Sequence, residues 1–380
     1  MASSARGPNQ TGNSAGTVRP PDPRTFLDRI TDGLKAEQLW AQFKADATSS
    51  YSMYRREVIV EDDPRRHRHW EIVKEFFWAV LRKLTPVRRI LLLAGVIMSF
   101  FPIARWEVSG QSYSVSLNIF GGLFLLAVLI LEIGDRVTMK RDLEIAREIQ
   151  LWLIPDAPPK VEGLDIAFVN RPQNTVAGDY YDVLLRQGSQ RTVIVVADVA
   201  GKSIPAGLLM ATLQASLKTL LNHTNSLVEL VTGVNDYACA HSNGGRRFTT
   251  AVVAEYEPST RSMTYVNAGH NNPMLLRADG RIERLDRGGL PFGIDGKAPY
   301  DVASVQLSPG DLLLIFTDGL VEAVNEVGEE YGEPRLLKIL PALQQYTAQN
   351  GVAALMGELN RFTGMAHQHD DITCVIVKVA

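Results

Sequence analysis

The sequence predicts an α+β protein in which a strand-rich domain follows a pair of long apolar segments. Short runs of β-branched and apolar residues alternate with turn residues from about residue 160 to the C-terminus. Four helical stretches interrupt these runs, and the apolar segments 90–104 and 115–133 lie upstream of them. At 380 residues the chain has room for two or three domains.

Composition narrows the class of protein. Hydrophobic residues make up 46% and charged residues 21% of the chain, which is typical of globular domains. The net charge of −3 provides no domain-wide basic field, so nucleic acid is not expected as a partner. Cys239 and Cys374 lie in apolar surroundings without CxxC spacing, which predicts neither a disulfide framework nor a thiolate zinc site.

The N-terminal region divides into two parts. Residues 1–24 are rich in Gly, Ser, Pro and Asn and predict a disordered tail. Residues 25–89 predict a mostly helical cytoplasmic region, interrupted at Glu61–Pro64. Residues 1–89 contain 16 Lys/Arg and 11 Asp/Glu. This basic excess suits a surface near anionic membrane lipid, and a solvated charged face explains it equally well.

Residues 90–134 predict a transmembrane hairpin. Its spans are 90–104 and 115–133, and the first needs its flanks to reach the roughly 20 residues that cross a bilayer. Lys and Arg residues precede the first span and follow the second, whereas the ten residues between carry only Arg105 and Glu107. The positive-inside rule then places both ends, and the strand-rich domain, on the cytoplasmic side of the inner membrane. A soluble helical hairpin or a membrane-surface element is the alternative.

Residues 135–155 predict a regulatory linker helix that joins the membrane region to the strand-rich domain and is ended by Pro155. Its apolar stripe comprises Thr138, Ile145, Ala146, Ile149, Trp152 and Leu153. This stripe needs a partner surface, either on the strand-rich domain or on a second copy of the helix in a homodimer.

The strand-rich domain is predicted over residues 160–380. The predicted strands are Leu164–Val169, Val176–Leu185, Arg191–Asp198, Thr249–Glu255, Ser262–Val266, Met274–Leu276, Ile282–Leu285, Val302–Leu307, Asp311–Thr317 and Ile372–Val379. The predicted helices are Ile204–His223, Ser226–His241, Leu336–Tyr346 and Val352–Phe362.

Two carboxylates face each other in the first predicted hairpin of this domain. If the turn is centred between Gly188 and Ser189, paired residues have numbers that sum to 377, and Asp179 lies opposite Asp198. Opposed like charges are destabilising unless a cation lies between them. A metal ion is one explanation, and a register slip or two turn-forming aspartates is the other.

Two further acidic sites repeat this arrangement. Asp318 directly follows a predicted strand, and Asp370 directly precedes one. Those ends share an edge in an antiparallel sheet, so four carboxylates are expected to converge at one sheet edge. An all-oxygen set without His or Cys suits Mg²⁺ or Mn²⁺ and disfavours zinc.

Seven motifs, in order along the chain, carry a family resemblance. They are GDYYD at 178–182, DVAGKSIPA at 198–206, FTTAVVAEYEP at 248–258, NAGHNNP at 267–273, GLPFGI at 289–294, PGDLLLIFTDGLVEA at 309–323 and DDIT at 370–373. Together with the phrase AREIQLWLIP at 146–155 they resemble the SpoIIE/RsbU branch of the metal-dependent protein phosphatases (PPM). The resemblance covers about residues 140–380.

The resemblance implies an αββα sandwich of two antiparallel sheets that holds two Mn²⁺ or Mg²⁺ ions. It also implies that a metal-bound water, held at Asp179 and Asp198, attacks the phosphorus of a phosphoserine or phosphothreonine. The implied metal ligands are Asp179, Asp198, the backbone carbonyl of Val199, Asp318 and Asp370.

Other residues near these motifs are candidates for support or substrate contact. Asp182 is an odd number of residues from Asp179, so we expect it on the other face of the strand. The residues considered for support of the site or contact with substrate are Asp182, Gly319, Asp371, Lys202, Arg246, Arg171 and Arg247. For the basic residues, solvated surface charge is the alternative. His270 is expected to stabilise a turn rather than act as a general acid.

Two departures from the family pattern are small. Ala177 stands where a glycine is usual, and Ser203 stands where the family usually has the second glycine of Gly-Lys-Gly. We expect Ser203 to act as an N-cap for the helix that begins near Ile204. Asn174 stands where eukaryotic-type members carry a phosphate-binding arginine, an absence typical of the SpoIIE-like branch.

The resemblance implies a membrane-tethered serine/threonine phosphatase. Its implied substrate is a phosphorylated STAS-type anti-sigma-factor antagonist in bacterial partner-switching signalling. A catalytically silent pseudophosphatase that binds phosphoproteins as a scaffold is the alternative.

Overall fold

The computed structural model describes residues 81–101, 103–242 and 244–380, together with Lys74, Phe77 and Trp78. The predicted tail at 1–24 and nearly all of the predicted helical region at 25–89 lie outside the described residues. The chain divides into two compact units, one ending at Leu131 and the other beginning at Glu132.

The first unit contains a helix, a β-hairpin and the start of a second helix. Helix α1 spans Pro86–Phe100, and strands β1 and β2 span Ile103–Val108 and Gln111–Ser116. The hairpin turns at Ser109 and Gly110, which both have positive φ. The prediction treated residues 105–114 as a plain loop, and its first span ended at 104, whereas α1 ends at Phe100.

Helix α2 spans Leu117–Leu153 without a break, so the predicted second span and the predicted linker helix are one element. Close to its start, Gly121 packs on α1: a Cβ placed there would lie 2.9 Å from the carbonyl oxygen of Gly95. Glycine on both helices therefore permits close approach of their backbones, which is a common feature of membrane helix pairs.

The second unit is built on two sheets. The first sheet is ordered β10-β7-β6-β5-β4, with β11 also paired to β7. Its strands are β4 (Tyr180–Leu185), β5 (Thr192–Val199), β6 (Thr249–Glu257), β7 (Ser262–Ala268), β10 (Gly288–Gly289) and β11 (Ala303–Gln306). All described pairings are antiparallel except that of β10, whose two residues run parallel to β7. The expected all-antiparallel sandwich is corrected at this point.

The second sheet is ordered β3-β13-β12-β8-β9 and is antiparallel. Its strands are β3 (Leu164–Arg171), β8 (Met274–Leu276), β9 (Ile282–Arg284), β12 (Leu312–Phe316) and β13 (Ile372–Val379). The helices of the unit are α3 (Ile204–Leu221), α4 (Leu227–His241), α5 (Asp318–Val321), α6 (Gly332–Leu343) and α7 (Ala348–Thr363).

Three buried clusters show how these elements are layered. One cluster fills the space between the sheets and includes Ile194 on β5 and Val375 on β13. A second joins α3 and α4 to the outer face of the first sheet, and a third joins α6 and α7 to the outer face of the second. The alternation of residues along each strand therefore supplies one core between the sheets and one beneath each helix pair.

By length and apolarity alone, two described helices are able to cross a bilayer, namely α2 and α3. Helix α3 buries one face, including Met210 and Leu217, against the first sheet, as a core helix of a folded domain does. The apolar window of α2 is only 11% buried.

Candidate active site

The four predicted carboxylates lie at one edge of the sandwich, but they come from both sheets. Asp179 and Asp198 belong to the hairpin of β4 and β5, while Asp318 follows β12 and Asp370 lies two residues before β13. The expectation of a single sheet edge is therefore corrected. The sandwich brings two edges together, because Asp198 interacts electrostatically with Asp318 and Asp370.

The register of the hairpin agrees with its prediction. Tyr180 pairs with Ala197 and Leu185 with Thr192, so the numbers sum to 377. Extending the ladder by one residue places Asp179 beside Asp198 on the face that looks toward the second sheet, because Tyr181 and Ile194 belong to the core between the sheets.

Hydrogen bonds tie the acidic residues to the framework. The Thr317 hydroxyl donates to Asp179 Oδ2 at 2.9 Å, across the gap between the sheets. Asp371 accepts from the backbone N–H of Gln173 at 2.6 Å and from that of Gly178 at 2.7 Å. The expected role of Asp371 is thus supported by its contacts: it holds the loop that leads into Asp179.

Two glycines lie in close packing at this edge, and Gly319 leaves no room for a side chain. A Cβ on Gly319 would lie 2.0 Å from the carbonyl oxygen of Asp371. A Cβ on Gly178 would lie 3.1 Å from the carbonyl oxygen of Val199 and 3.7 Å from Asp198 Oδ1. The backbones that carry the acidic residues therefore touch, and the Val199 carbonyl approaches the loop before Asp179.

The carboxylates raise one another's pKa. Burial, followed by the charge of Asp198, raises the pKa of Asp179 well above its usual range. Burial, followed by the charges of Asp318 and Asp370, raises the pKa of Asp198 to about 7. The pKa of Asp318 is raised by burial and then by Asp370. The carboxylates at this edge of the sandwich therefore repel one another, and the nearby positive charge does not fully balance them.

Lys202 supplies the nearest positive charge. Its ammonium group donates to Asp370 Oδ2 at 2.8 Å and to the backbone carbonyl of His369 at 2.7 Å. Lys202, which was predicted to contact the substrate, thus forms an ion pair with Asp370, a predicted metal ligand. With half of its side chain exposed, this ion pair is only partly desolvated and is readily exchanged.

The donor set fits hard divalent cations. It consists of carboxylate and backbone carbonyl oxygens, the ligands that Mg²⁺ and Mn²⁺ prefer, and its mutual repulsion would be relieved by bound positive charge. Within the part of the chain that the structure describes, no three His, Cys, Asp or Glu side chains converge closely enough to enclose an ion by themselves.

Two predicted contacts lie elsewhere. Asp182 is buried on the outer face of β4, where it accepts from the Tyr180 hydroxyl at 2.9 Å and pairs with Lys218 at 3.2 Å. This agrees with its expected orientation, on the face of β4 opposite to that of Asp179. Arg246 is exposed in the turn before β6 and lies outside the lining of the cavity beside the carboxylates.

His270 lies in the turn after β7, as expected, and its side chain is buried there. Its ring Nδ1 lies 2.8 Å from the Thr250 hydroxyl, and its backbone N–H donates to Asn267 Oδ1 at 2.7 Å. Burial lowers the pKa of His270 to about 4. The ring is therefore neutral near pH 7, which removes the case for an imidazolium general acid.

Gln150 was not identified from the sequence. On α2, its side chain donates to the Ala177 carbonyl at 2.7 Å and accepts from the Ala177 N–H at 3.0 Å. It thereby pairs with both backbone groups of the residue two positions before Asp179. A lone Gln between apolar residues of a helix gives no distinctive pattern, although its place in the phrase AREIQLWLIP was available.

These layers and this acidic edge define the PP2C-type phosphatase fold. The solved SiaA-PP2C domain of Pseudomonas aeruginosa has the same fold, with a TM-score of 0.57, 18% identity, and coverage of 65% of this chain and 99% of that domain. The family model described as stage II sporulation protein E (SpoIIE) matches residues 188–380. The chain belongs to the SpoIIE family.

Two curated relatives match a longer part of the chain than the family model does. The phosphoserine phosphatase RsbU of Bacillus subtilis is 27% identical over 246 residues, which cover 64% of this chain and 72% of RsbU. Protein IcfG of Synechocystis sp. is 26% identical over 273 residues, which cover 65% of this chain and 42% of IcfG. The chain thus spans less than half the length of IcfG.

Proposed function

We propose that this protein is a membrane-tethered serine/threonine phosphatase that hydrolyses phosphoserine or phosphothreonine in a protein substrate. The observation that carries the proposal is the convergence of Asp179, Asp198, Asp318 and Asp370 from two sheets in a SpoIIE-family domain. RsbU, named a phosphoserine phosphatase, supports the reaction class.

The residues have distinct roles in the proposed reaction. Asp198, whose carboxylate interacts with Asp318 and Asp370, would hold the divalent ions together with Asp179, Asp318, Asp370 and the Val199 carbonyl. The ions, when bound, would supply positive charge at the phosphoryl oxygens and an activated water. Thr317 and Asp371 would hold the Asp179 loop in place for this arrangement.

The substrate proposed is a phosphorylated STAS-type antagonist of an anti-sigma factor, in bacterial partner-switching signalling. The family resemblance of the seven motifs implies this substrate, and the name of RsbU, a phosphoserine phosphatase, supports the phosphoserine part of it. The catalytic unit would lie in the cytoplasm beneath the inner membrane, with α1 and the first part of α2 as the membrane hairpin. Support for the hairpin comes from the apolar, little-buried α2 and from the close Gly95–Gly121 contact.

We propose that α2 also regulates the site. Ile145, Ile149 and Trp152 of its apolar stripe are exposed and would pack on a second copy of the chain. Gln150 lies among them on α2 but turns toward the catalytic unit and its Ala177. A change in helix pairing would therefore reach the backbone just before Asp179.

A silent scaffold is the second candidate, and the Lys202–Asp370 ion pair favours it, because an ammonium group in that position competes with a metal ion for the carboxylate. A metal-dependent assay separates the two. We expect the purified full chain in detergent with Mn²⁺ to hydrolyse an aryl phosphate and a phosphoserine protein. Turnover of neither substrate would contradict the phosphatase proposal.

The matched variant is Asp198→Asn, which keeps side-chain volume and removes the charge. We expect it to lose nearly all turnover while retaining the circular dichroism spectrum of the parent chain. Near-normal turnover would mean that the metal site is assigned to the wrong residues. Recovery of the expressed chain in the supernatant after carbonate extraction would contradict the membrane hairpin.

A further inference from the structure

A cavity of about 180 Å³ opens beside the carboxylates and has no role in the reaction proposed above. Asp370, its ion-pair partner Lys202, and Gly319, the neighbour of Asp318, line the cavity where it adjoins the carboxylates. Its remaining lining comes from two segments. One comprises Arg171 at the end of β3, the end of α7 and the loop before β13, and the other comprises α5 and the residues after it.

The cavity is a built feature. Gly364 ends α7 with a positive φ of 59°, and the next backbone N–H, of Met365, donates to Glu326 Oε1 at 2.8 Å. On the other side, the Gln368 amide donates to the carbonyls of Arg171 at 2.8 Å and Asp370 at 2.7 Å. The loop before β13 is therefore anchored at both ends, which keeps the cavity open.

The charge of the lining differs between the two segments. The first segment contributes the cation Arg171, whereas the second contributes Glu322, whose carboxylate interacts with Asp318, Glu330 and Asp370. The described contact of the Arg171 guanidinium is with a neutral amide, since NH1 donates to Asn360 Oδ1 at 2.7 Å. No acidic partner of Arg171 occurs among the ion pairs of the described residues.

Ala323, Val324 and Ala366, all half-buried, add apolar surface to the lining, whereas Leu359 and Ile372 are almost fully buried. An apolar stem with a carboxylate at its tip complements such a lining. The volume is below the 300 Å³ or more of pockets that hold whole small molecules, so it suits a single side chain. Arginine is well matched to carboxylate because its donors bind both oxygens at once.

We propose that this cavity is a substrate subsite that binds an aspartate or glutamate side chain close to the phosphoserine, with Arg171 as its carboxylate-binding residue. The inference rests on the proposed function, because the phosphoserine would occupy the adjoining acidic edge. It adds a substrate class to that function: phosphoproteins with an acidic residue near the phosphorylated one.

The test compares peptides within each protein variant. Phosphoserine peptides carry Glu or Gln at one flanking position at a time, and the full chain in detergent with Mn²⁺ is assayed for kcat and KM. We expect the parent chain to prefer one Glu peptide about tenfold in kcat/KM, the size of one charge-assisted hydrogen bond, through a lower KM. We expect Arg171→Ala to bring the Glu/Gln ratio close to one, and Arg171→Lys to restore part of it.

Arg281→Ala is the matched control. Arg281 is an exposed arginine paired with Asp279 in the β8–β9 turn, and its loss should leave the Glu/Gln ratio unchanged. A second readout is peptide affinity, measured by fluorescence anisotropy with a phosphonate analogue of phosphoserine. This measurement does not depend on turnover.

The two failures are distinguishable. Absence of turnover on aryl phosphate and on every peptide would contradict the proposed function, and the anisotropy ratio would still decide the subsite. A Glu/Gln ratio near one at all positions in the parent chain, or a ratio that survives Arg171→Ala, would overturn the subsite.

Discussion

The Thr317 hydroxyl donates a hydrogen bond to Asp179 Oδ2 across the two sheets, at 2.9 Å. The hydroxyl oxygen of Thr317 in turn accepts a hydrogen bond from the Thr373 N–H at 2.9 Å, so Thr317 links β12, β13 and the loop before β4. Both partners are buried: Asp179 is 2% exposed and Thr317 is fully buried. One hydroxyl group therefore joins the first sheet's carboxylate to the second sheet's backbone at the edge where the acidic residues meet.

Replacement of Thr317 by Val should weaken both the fold and the site. The isosteric change leaves the Thr373 N–H and one Asp179 oxygen without this partner, at a cost of about 1–3 kcal/mol in the free energy of unfolding. Denaturant unfolding measures this cost, and calorimetry should show weaker Mn²⁺ binding. Thr212→Val is the control, because Thr212 is exposed on α3 and bonds only within its helix. Equal effects of the two changes would contradict a role for Thr317 at the site.

The acidic cluster predicts how the metal-free protein responds to pH. Because the pKa of Asp198 is about 7 in the fold and 3.8 is its ordinary value, the folded state retains a proton that the unfolded state releases between those pH values. The raised pKa values of Asp179, Asp318 and Asp371 act in the same direction. Their contribution to the free energy of unfolding should therefore fall as pH rises from about 4 to about 7.

Unfolding in EDTA and in Mn²⁺ at pH 5, 6, 7 and 8 measures this effect. We expect Mn²⁺ to stabilise the chain most at the highest pH, where the carboxylates are ionised and protons no longer compete. In EDTA, the free energy of unfolding of Asp198→Asn should depend less on pH than that of the parent chain, because the titrating carboxyl group is absent. A difference between variant and parent that grows toward acid pH would contradict the assignment.

Ser203 is strained where the sequence suggested a favourable cap. It does occupy the N-cap position of α3, but its φ of 64° and ψ of −145° are in a region favoured by glycine, and its side chain makes no capping bond. Ser203→Gly should therefore stabilise the fold by about 1 kcal/mol, or raise Tm by roughly 3 °C. Ser216→Gly, inside the same helix, should lower Tm instead. A fall in Tm with both changes would contradict the strain.

Several features followed from the residues alone because they depend on local pattern. The Gly188–Ser189 turn set the hairpin register, and the strands Met274–Leu276 and Ile372–Val379 were predicted with the bounds that the structure has. The convergence of Asp318 with Asp370 also followed, and the antiparallel pairing of β12 with β13 in the structure accounts for it.

Other features depend on long-range packing that no local pattern encodes. The division of the four carboxylates between two sheets arises from the packing of the sandwich. Strand β10 has only two residues, which is too short to show the alternating pattern of a strand in the sequence. The burial of His270 depends on Thr250 from a different strand. The sequence predicts a loop where the structure has the β1–β2 hairpin, although Ser109-Gly110 is a turn pair, because β1 begins inside the predicted first span and β2 is mostly polar.

The exposed stripe on α2 leads to the last prediction. Trp152 is 80% exposed and Ile149 is 48% exposed, so the catalytic unit does not cover them. If two copies pair through this stripe, the full chain in detergent should be dimeric by light scattering, and the double change Ile149→Ala, Trp152→Ala should give monomers. Gln150 lies between them in sequence and holds both backbone groups of Ala177, so loss of pairing should also change Mn²⁺ affinity, measured by calorimetry.

Glu148→Ala is the control. It removes an exposed polar residue from the same turn and should change neither the oligomeric state nor the Mn²⁺ affinity. A double variant with unaltered oligomeric state and Mn²⁺ affinity would remove the case for regulation through α2.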